Sequence, residues 1–599
     1  MARLTAVRRA VAGWTKPLAA RIPGPARRRL RSVAAPLAAQ GSRPPVTRMR
    51  TVEEVLSNQL KQIADPVVVI IAHRPLQRLR ETVLAGRPQA TVHDVGAGLS
   101  DAQLHVALAA IGPCDLIIDD STVPDRLPRV RRYIYCVRPG GVVLVRKLGR
   151  GNGAEALRKQ LGAVLADVAG QYGTEQGPGD PQWGRTDRAR FGQAVRELKL
   201  GRDYLVLVAG VAAQAKIREE QIDDLLDQRP DLGRVLARRP GAPVPQPPSL
   251  RMSDYDHLLS VRSLEQAPAL ALREYQGVLT IPGQIATIGS IILPDSYRHW
   301  PVGRLRNPFM REIARDFADA TAVPEFADDP GPESVRTLPG SYFYLDDEVR
   351  GHFGHMTTEV LARLWAWDEA KAADPSLKAI LHANRRRQLS DWEVRLLGAA
   401  GIDRDDIVFA REPVRVERLV AATPMLSNPY YVHPGIGEIW RRVGDDLAAQ
   451  SELGASPDRI FIARRIKKRS CRNATDVEQL FESLGFTLVY PEDHPLPDQI
   501  RMFRQADAIA GFAGSGMFHL MFTPEPKQVI LVTSESYTGR NEWLIAGVFG
   551  HAINVAWCRS EAEWRGDHFA SGGYQSAFSF DFDREGVFVR DTAAAMERG

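Results

Sequence analysis

A dense group of cationic side chains follows one short apolar run in the last third of the chain. Residues 459–463 read RIFIA, and the next nine residues contain Arg464, Arg465, Lys467, Lys468, Arg469 and Arg472. Guanidinium groups bind phosphate oxygens through paired, charge-assisted hydrogen bonds. The pattern favours a phosphate site in which Arg464 and Arg465 lie nearest the strand end and Lys468 and Arg469 come second. A solvated surface loop is the alternative.

A glycine-rich turn follows a second strand-like run. Residues 508–512 read AIAGF, and Gly514, Ser515 and Gly516 precede an apolar run that suggests a helix. Glycines allow backbone N–H groups to approach an anion, and a helix N-terminus carries partial positive charge. Together with the cations, this turn predicts a diphosphate pocket to which Ser515 donates its hydroxyl. A simple tight turn is the alternative.

A histidine and a glutamate lie one helical turn apart in the segment GHFGHMTTEVLARLW, residues 351–365. His355 and Glu359 share a predicted helix face, while Met356, Val360 and Leu364 form an apolar row expected to face the core. A carboxylate can hold an imidazole and raise its basicity while the ring takes a proton from a hydroxyl. The pair is therefore a candidate general base. A structural histidine is the alternative.

These motifs, in this order, resemble glycosyltransferase family 61, which includes proteins of capsular polysaccharide biosynthesis. The resemblance covers roughly residues 270–560 and rests on the 351–365 segment and on the following positions: Arg464, Arg465, Arg469, Asn473, Gly485, Phe486, Pro491, Glu492, Gln499, Phe503, Ala506, Gly511, Gly514, Gly516 and Phe522. One departure concerns the turn, where many members carry a histidine and this chain reads Phe-Ala-Gly-Ser-Gly. His519, the next histidine, is not taken as its substitute.

The resemblance implies a fold, a reaction and further site residues. The fold would be a two-lobed GT-B glycosyltransferase, with an acceptor lobe at residues 255–430 and a donor lobe at 431–599. The reaction would be inverting transfer of a sugar from a nucleotide diphosphate donor, of the UDP-sugar type, to a glycan or lipid-linked acceptor in bacterial cell-surface polysaccharide synthesis. Glu535 and Glu542 would hold ribose hydroxyls. No metal and no other cofactor is expected, since cationic side chains take the place of the metal in such enzymes.

Residues 51–212 alternate strands and helices, which predicts a Rossmann-like, doubly wound domain. They resemble a degenerate class I methyltransferase. The string Asp94-Val95-Gly96-Ala97-Gly98 has the letters of a cofactor motif but follows the second strand, while residues 72–75 follow the first. If S-adenosylmethionine binds, Asp94 and Asp119 are the candidate contacts. A methyltransferase, or a non-catalytic scaffold that binds polysaccharide or partner proteins, therefore stays open as an alternative function. Residues 213–254 read as a helical and proline-rich linker.

The basicity of the chain belongs to its N-terminal tail. Residues 1–50 contain twelve lysines and arginines and no acid, whereas the whole chain has a net charge of +6, so residues 51–599 carry −6. The tail is expected to be disordered or to contact the inner face of the cell membrane, and nucleic acid is not an expected partner. Four scattered cysteines and the lack of a long apolar run favour a cytoplasmic protein without disulfides or a spanning helix.

Overall fold

The structure is a computed structural model that describes Glu54 and residues 63–596, except for gaps at 124–125, 149–153, 171–190, 193, 202, 211, 254–263, 297–303, 308–309, 315–319, 323–334, 348, 384–387, 466–468, 538, 567–568 and 571. The predicted tail, residues 1–50, and Lys468 lie outside the described residues. The chain divides into the units Met1–Asn58 and Gln59–Gly599, and the second unit contains the three large sheets. The domain boundaries expected at residues 212, 254 and 430 remain predictions.

The first sheet has four parallel strands and an antiparallel hairpin at one edge. In spatial order its strands are Thr91–Gly96, Val67–Ala72, Cys114–Asp119, Val137–Val145, Leu205–Ala209 and Val195–Leu200. The helices of this region are Gln77–Gly86, Asp101–Ile111, Arg126–Tyr133 and Ala154–Gly170. The central strands are continuous apolar runs, such as VVVIIA, because a parallel sheet is covered on both faces.

The second sheet is mixed. In spatial order its strands are Ala320–Ala322, Ala213–Lys216, Ile291–Ile292, Ile285–Ile288, Leu270–Ile281, Val414–Ala422, Thr337–Tyr344, Lys378–His382 and Ile407–Ala410, with Gly233–Arg239 paired to Leu270–Ile281. Its helical segments are Ile222–Gln228, Phe353–His355, Met356–Val360, Leu361–Ala366, Trp367–Ala373, Asp391–Ala399 and Arg404–Asp406. The segment Met356–Val360 is a wide π-helical turn, a feature frequent at functional sites.

The third sheet is parallel except at one end. In spatial order its strands are Leu250–Met252, Ala552–Ser560, Gln528–Ser534, Ala508–Phe512, Arg459–Ile462 and Thr487–Val489, with Phe578–Ser579 antiparallel to Ala552–Ser560. Its helical segments are Ile436–Ala449, Ala474–Ser483, Pro491–Asp493, Leu496–Gln505, Ser515–Phe522, Asn541–Phe549, Gly573–Gln575 and Glu585–Met596. Short two-stranded pairs join Ala242–Pro243 to Gln266–Ala267, Arg304–Asn307 to Met310–Ala314, and Leu426–Ser427 to Tyr431–Val432.

The chain reverses its direction of travel across the third sheet. From Arg459–Ile462 it passes to Thr487–Val489 on one side, and the next strand, Ala508–Phe512, lies on the other side. In open α/β sheets, ligands bind outside the carboxyl ends of strands at such a switch point. The cation group and the glycine turn are the residues that follow the two strands flanking this point.

One continuous apolar core joins the second and third sheets. It contains Phe343 and Val420 from the second sheet, Ile460 and Val529 from the third, and the fully buried Trp440 on the helix Ile436–Ala449 between them. The predicted linker, residues 213–254, supplies strands to both sheets. The predicted fold class, an α/β chain with a Rossmann-like N-terminal domain and a following two-lobed GT-B arrangement, is confirmed.

Candidate functional site

Arg464 reaches the glycine turn directly. Its Nη1 donates to the backbone oxygen of Ala513 at 3.1 Å, its Nη2 donates to the backbone oxygen of Arg469, and its guanidinium lies 5.5 Å from the Phe512 ring centre. The two segments meet because their strands are neighbours, with Ile462 opposite Gly511. Burial, together with the neighbouring charge of Arg469, lowers the pKa of Arg464 to about 10.

Gly514 lets both guanidiniums approach the turn. Its φ of +143° lies in the region that favours glycine. A Cβ atom at this position would lie 3.3 Å from Nη2 of Arg469 and 3.6 Å from Nη1 of Arg464. Any side chain here would therefore occupy the space in front of the two cations.

Arg469 is held in a strained conformation between two tyrosines. Its φ of +51° is unusual for a residue with a side chain, and strain of this kind clusters at functional sites. Its guanidinium carbon lies 4.6 Å from the ring centre of Tyr537 and 5.2 Å from that of Tyr574. Two of its nitrogens, Nε and Nη1, are buried without a hydrogen-bond partner in the described structure.

Neither cation has a carboxylate partner among the described residues. Arg464 donates there only to carbonyl oxygens, and no ion pair within 4 Å in this part of the chain involves Arg464 or Arg469. Buried charges are normally paired, because an uncompensated charge in a low-dielectric surrounding is costly. The arrangement is therefore suited to an anionic ligand that contacts both guanidiniums directly.

Glu542 contacts the back of the same turn. Its Oε1 accepts the backbone N–H of Gly514 at 2.7 Å, and the Tyr537 hydroxyl donates to its Oε2 at 3.3 Å. The side chain is fully buried. Burial raises its pKa to about 7, against the opposing influence of the Gly514 N–H and the Arg469 charge.

The structure does not bring Arg465 to the turn. Its exposed guanidinium forms a bidentate ion pair with Asp493, with N–O distances of 2.5 and 2.7 Å, and its carbon lies 4.2 Å from the Tyr490 ring centre. Successive residues of an extended chain point to opposite sides, so Arg464 faces the turn and Arg465 faces away. Arg472, in the same way, pairs with Glu561.

The remaining predicted donor-side residues directly follow two strands of the third sheet. Ser515 and Gly516 begin the helical segment Ser515–Phe522 and are partly exposed. Glu535 is buried at the end of the strand Gln528–Ser534, where its Oε1 accepts the Ser560 N–H at 2.8 Å. Its Oε2 is buried and has no hydrogen-bond partner among the described residues, and the ribose contact expected for Glu535 stays a prediction.

His355 and Glu359 are paired through a short hydrogen bond from Nδ1 to Oε1. The histidine side chain is 26% exposed and the glutamate side chain 2%, so a buried carboxylate holds a partly exposed imidazole ring. Met356, Val360 and Leu364 are buried in the core, as predicted. When Nδ1 donates to Glu359, the accepting lone pair of the ring is on Nε2.

Gln284 holds the other oxygen of Glu359. Its Nε2 lies 3.3 Å from Oε2, and its backbone N–H donates to Asp346 at 3.1 Å. Its φ is +64° and it is fully buried, so a strained residue is fixed by hydrogen bonds at this site. Sequence reasoning missed Gln284, Tyr537 and Tyr574. Only Tyr537 lay near a predicted site residue, two positions after Glu535. Tyr574 and Gln284 are far along the chain from the cation group and the His355–Glu359 pair, so no signal in the sequence pointed to them.

The segment that contains His355 and Glu359 adjoins the segment of the glycine turn. Phe353, two residues before His355, stacks on His519 with ring centres 4.7 Å apart, and Ser515 packs against Gly354. His519 itself is buried, its Nδ1 contacts the oxygen of Gly516, and burial lowers its pKa to about 4. Its neutral ring therefore packs the turn against the 353–366 segment.

The N-terminal candidates for S-adenosylmethionine are engaged within the chain. Asp94 forms an ion pair with Arg80 at 3.0 Å, and Asp119 accepts the Ser121 N–H at 2.9 Å. The next carboxylate, Asp120, pairs with Lys147 at 2.5 Å. The expected contacts of Asp94 and Asp119 with S-adenosylmethionine stay predictions. Among the residues that the structure describes, no group of three or more His, Cys, Asp and Glu is placed to hold a metal ion.

Comparison with known proteins identifies the family of the central region. Residues 353–530 match the family model of Glycosyltransferase 61, which confirms the predicted family for this region. A search of curated proteins finds no match. Within the described residues, no helix is both long and apolar enough to cross a membrane.

Similar solved structures include three methyltransferases. MycE from the mycinamycin pathway is 12% identical, with 26% of this chain and 48% of that chain covered and a TM-score of 0.21, so this chain spans about half of MycE. The glutamine-N5 methyltransferase of Alicyclobacillus acidocaldarius is 16% identical (28% and 99% covered, TM-score 0.18), and TomG of Streptomyces achromogenes is 14% identical (30% and 96%, TM-score 0.15). At these values the similarity carries no conclusion about activity.

Proposed function

We propose, from the premise that residues 353–530 form a glycosyltransferase 61 domain, that the protein transfers a sugar from a nucleoside diphosphate donor to a hydroxyl group with inversion. The observation that carries this proposal is the pair of largely buried guanidiniums, Arg464 and Arg469, which face Gly514 at the switch point of the third sheet without a carboxylate partner among the described residues. A diphosphate would bring negative charge into direct contact with these two guanidiniums.

The reaction requires one base and one leaving-group site. His355 Nε2 accepts the proton of the acceptor hydroxyl, whose oxygen attacks the anomeric carbon of the donor sugar from the face opposite the diphosphate. The bond from the anomeric carbon to the diphosphate oxygen breaks, and the electron pair leaves with the nucleoside diphosphate. Arg464 and Arg469 stabilise the charge that develops there, which lowers the barrier, while Glu359 holds the imidazolium formed at His355.

The remaining assignments are finer parts of the same proposal. Glu535 binds a ribose hydroxyl of the donor at the carboxyl ends of the strands of the third sheet. Its Oε2 accepts no hydrogen bond from the described residues. The donor is of the UDP-sugar type, the reaction uses no metal, and the acceptor is a glycan or lipid-linked glycan of the bacterial cell surface. Residues 1–50, with their twelve cations, place this cytoplasmic enzyme at the inner face of the membrane.

Binding of UDP, measured by titration calorimetry and thermal shift, tests the donor site with matched variants. Arg469→Ala and Arg464→Ala are expected to weaken UDP binding about 10- to 100-fold, the worth of a hydrogen bond to a charged group. Arg472→Ala removes the same group from a surface ion pair and is expected to leave the Kd within about twofold. Arg465→Ala, whose guanidinium pairs with Asp493, is expected to behave like Arg472→Ala.

Three results would overturn the assignment. They are unchanged UDP binding in Arg469→Ala, a rise in Tm with S-adenosylhomocysteine but not with UDP, and UDP binding without any donor hydrolysis or sugar transfer. The second would favour a methyltransferase and the third a non-catalytic scaffold. Melting curves of each arginine variant show whether a loss of UDP binding is caused by unfolding. Arg469→Lys, which keeps the positive charge but not the planar guanidinium with its paired hydrogen bonds, is a milder second variant.

A further inference from the structure

The backbone N–H that opens the proposed diphosphate turn is already bonded to a carboxylate of this chain. Gly514 N donates to Glu542 Oε1 at 2.7 Å, while Arg464 and Arg469 approach the same residue from its Cα side. Glu542 is fully buried and interacts electrostatically with both cations, yet it forms no ion pair within 4 Å in the described structure. It is an internal anion next to the place where the donor's anion is proposed to bind.

We infer that Glu542 is a positioning residue that fixes Gly514, and that it takes up a proton when a diphosphate binds in front of Arg464 and Arg469. This inference rests on the proposed function, since the same site must bind a nucleoside diphosphate. It also replaces the ribose contact expected for Glu542 from family resemblance, because the buried carboxylate contacts the turn and Tyr537.

The physical reason is that two anions would share one pair of cations. A carboxylate and a diphosphate on either side of Gly514 repel each other in a surrounding of low dielectric constant, and like charges favour protonation of the weaker acid. The neutral carboxylic acid keeps its structural role, since its carbonyl oxygen still accepts the Gly514 N–H. The proton comes from solvent and binds Oε2, where the Tyr537 hydroxyl oxygen, 3.3 Å away, can accept the new O–H.

The titratable groups that interact electrostatically with Glu542 in the described structure keep their charge between pH 7 and 9. Burial raises the pKa of both Tyr537 and Tyr574 above the usual value. The pKa of Arg464 is about 10, and that of Arg469 lies above its usual value because the two tyrosines and Glu542 outweigh burial. His519, on the segment packed against the Glu542 helix, has a pKa of about 4, and Arg441, over the Phe549 ring, is a permanent cation.

The expected pH dependence has a definite sign. In the protein without a ligand, the pKa of Glu542 is about 7, and a bound anion raises this pKa further. UDP binding therefore takes up a proton above pH 7, and the affinity falls as the pH rises until the pKa of the complex is passed. For a pKa raised by one to two units in the complex, the Kd grows about tenfold between pH 7 and 9.

Calorimetric titration of the full chain with UDP between pH 7 and 9 tests the inference. The terminal phosphate of UDP ionises near pH 6, about the second pKa of a phosphate ester, and its residual effect is common to all variants. Wild type is expected to lose about tenfold in affinity and to show proton uptake in buffers of different ionisation enthalpy. Glu542→Gln, which keeps the acceptor oxygen, is expected to bind UDP with a nearly flat pH profile.

A matched control is Glu561→Gln, which removes a carboxylate from the surface pair with Arg472 in the same lobe. It is expected to retain the wild-type pH profile. A pH-independent wild-type Kd, or a Glu542→Gln variant that keeps the wild-type slope, would overturn the inference while leaving the donor site intact. The proton-uptake measurement needs no variant, so a misfolded Glu542→Gln protein would not obscure the result. Absence of UDP binding at every pH would overturn the proposed function instead.

Discussion

Gly354 and Ser515 face each other so closely that a Cβ atom on Gly354 would lie 3.2 Å from the Cβ atom of Ser515. Gly354 precedes the candidate base His355, and Ser515 belongs to the proposed diphosphate turn. The contact joins the segment packed on the second sheet to the carboxyl edge of the third. The two ends of the proposed reaction, proton removal and departure of the diphosphate, are therefore carried by adjoining segments.

Substitution of Gly354 tests whether this close approach matters. In Gly354→Ala the new methyl group meets Phe518 at 3.0 Å and His352 at 3.2 Å as well as Ser515, so the segments must separate. We expect kcat for transfer to fall by about 10- to 100-fold, since small misplacements of reacting groups are costly. Gly398→Ala, in a helix with no atom within 4 Å of the new group, is the control and is expected to keep full activity. Equal activity of the two variants would contradict the importance of the contact.

Removal of the base is expected to act on kcat and not on donor affinity. His355→Ala should lower kcat by about 10²- to 10⁴-fold, the usual contribution of a general base, while the Kd for UDP stays within about twofold because His355 lies outside the cation cluster. Glu359→Gln keeps the shape of its partner but not the charge and should give an intermediate loss. Steady-state kinetics with calorimetric binding separate these effects. A His355→Ala variant with wild-type kcat would assign the base elsewhere.

Variants of Gln284 separate its effect on backbone strain from its effect on the position of Glu359. Gln284→Ala and Gln284→Gly both lose the hydrogen bond to Glu359 Oε2, so both should lower kcat by about tenfold, a loss of roughly one such bond. At φ +64° glycine is unstrained and alanine is not, so the alanine variant should melt at the lower temperature. Equal kcat in wild type and both variants would show that Gln284 supports the fold and not the base.

The centre of the site could be predicted from sequence because each of its two parts directly follows a strand. Arg464 and Gly514 meet since the strands before them are neighbours. The ion pair of Arg465 could not be predicted, because its partner Asp493 lies 28 residues further along the chain and no helical or strand spacing links the two positions. Gln284 was equally hidden, since its role depends on a backbone conformation and on Asp346 and Glu359, which only the folded chain brings near.

The buried carboxylate beneath the base predicts a pH dependence of stability. Burial raises the pKa of Asp347 to about 7, although Arg350 lies 3.1 Å away. Its pKa is near 3.8 in the unfolded chain, so the folded state holds the extra proton between pH 4 and 7, and stability falls as the pH rises through this window. In Asp347→Asn this contribution is absent. We expect the Tm of the variant, relative to wild type, to rise from pH 5 to pH 8 in melting curves, and a constant difference would contradict it.

Gly514→Ala tests the turn against a control with the same backbone strain. Gly514 and Gly112 have φ values of +143° and +87°, so alanine is unfavourable at both. Only at position 514 would the added methyl group meet the guanidiniums, 3.3 Å from Arg469 and 3.6 Å from Arg464, whereas at position 112 nothing lies within 4 Å. We expect Gly514→Ala to weaken UDP binding by at least about tenfold, since it covers the two charged donors, and Gly112→Ala to lower the Tm alone. If both variants bind UDP like wild type, the diphosphate does not lie in front of Gly514, and the two arginines are not its binding site.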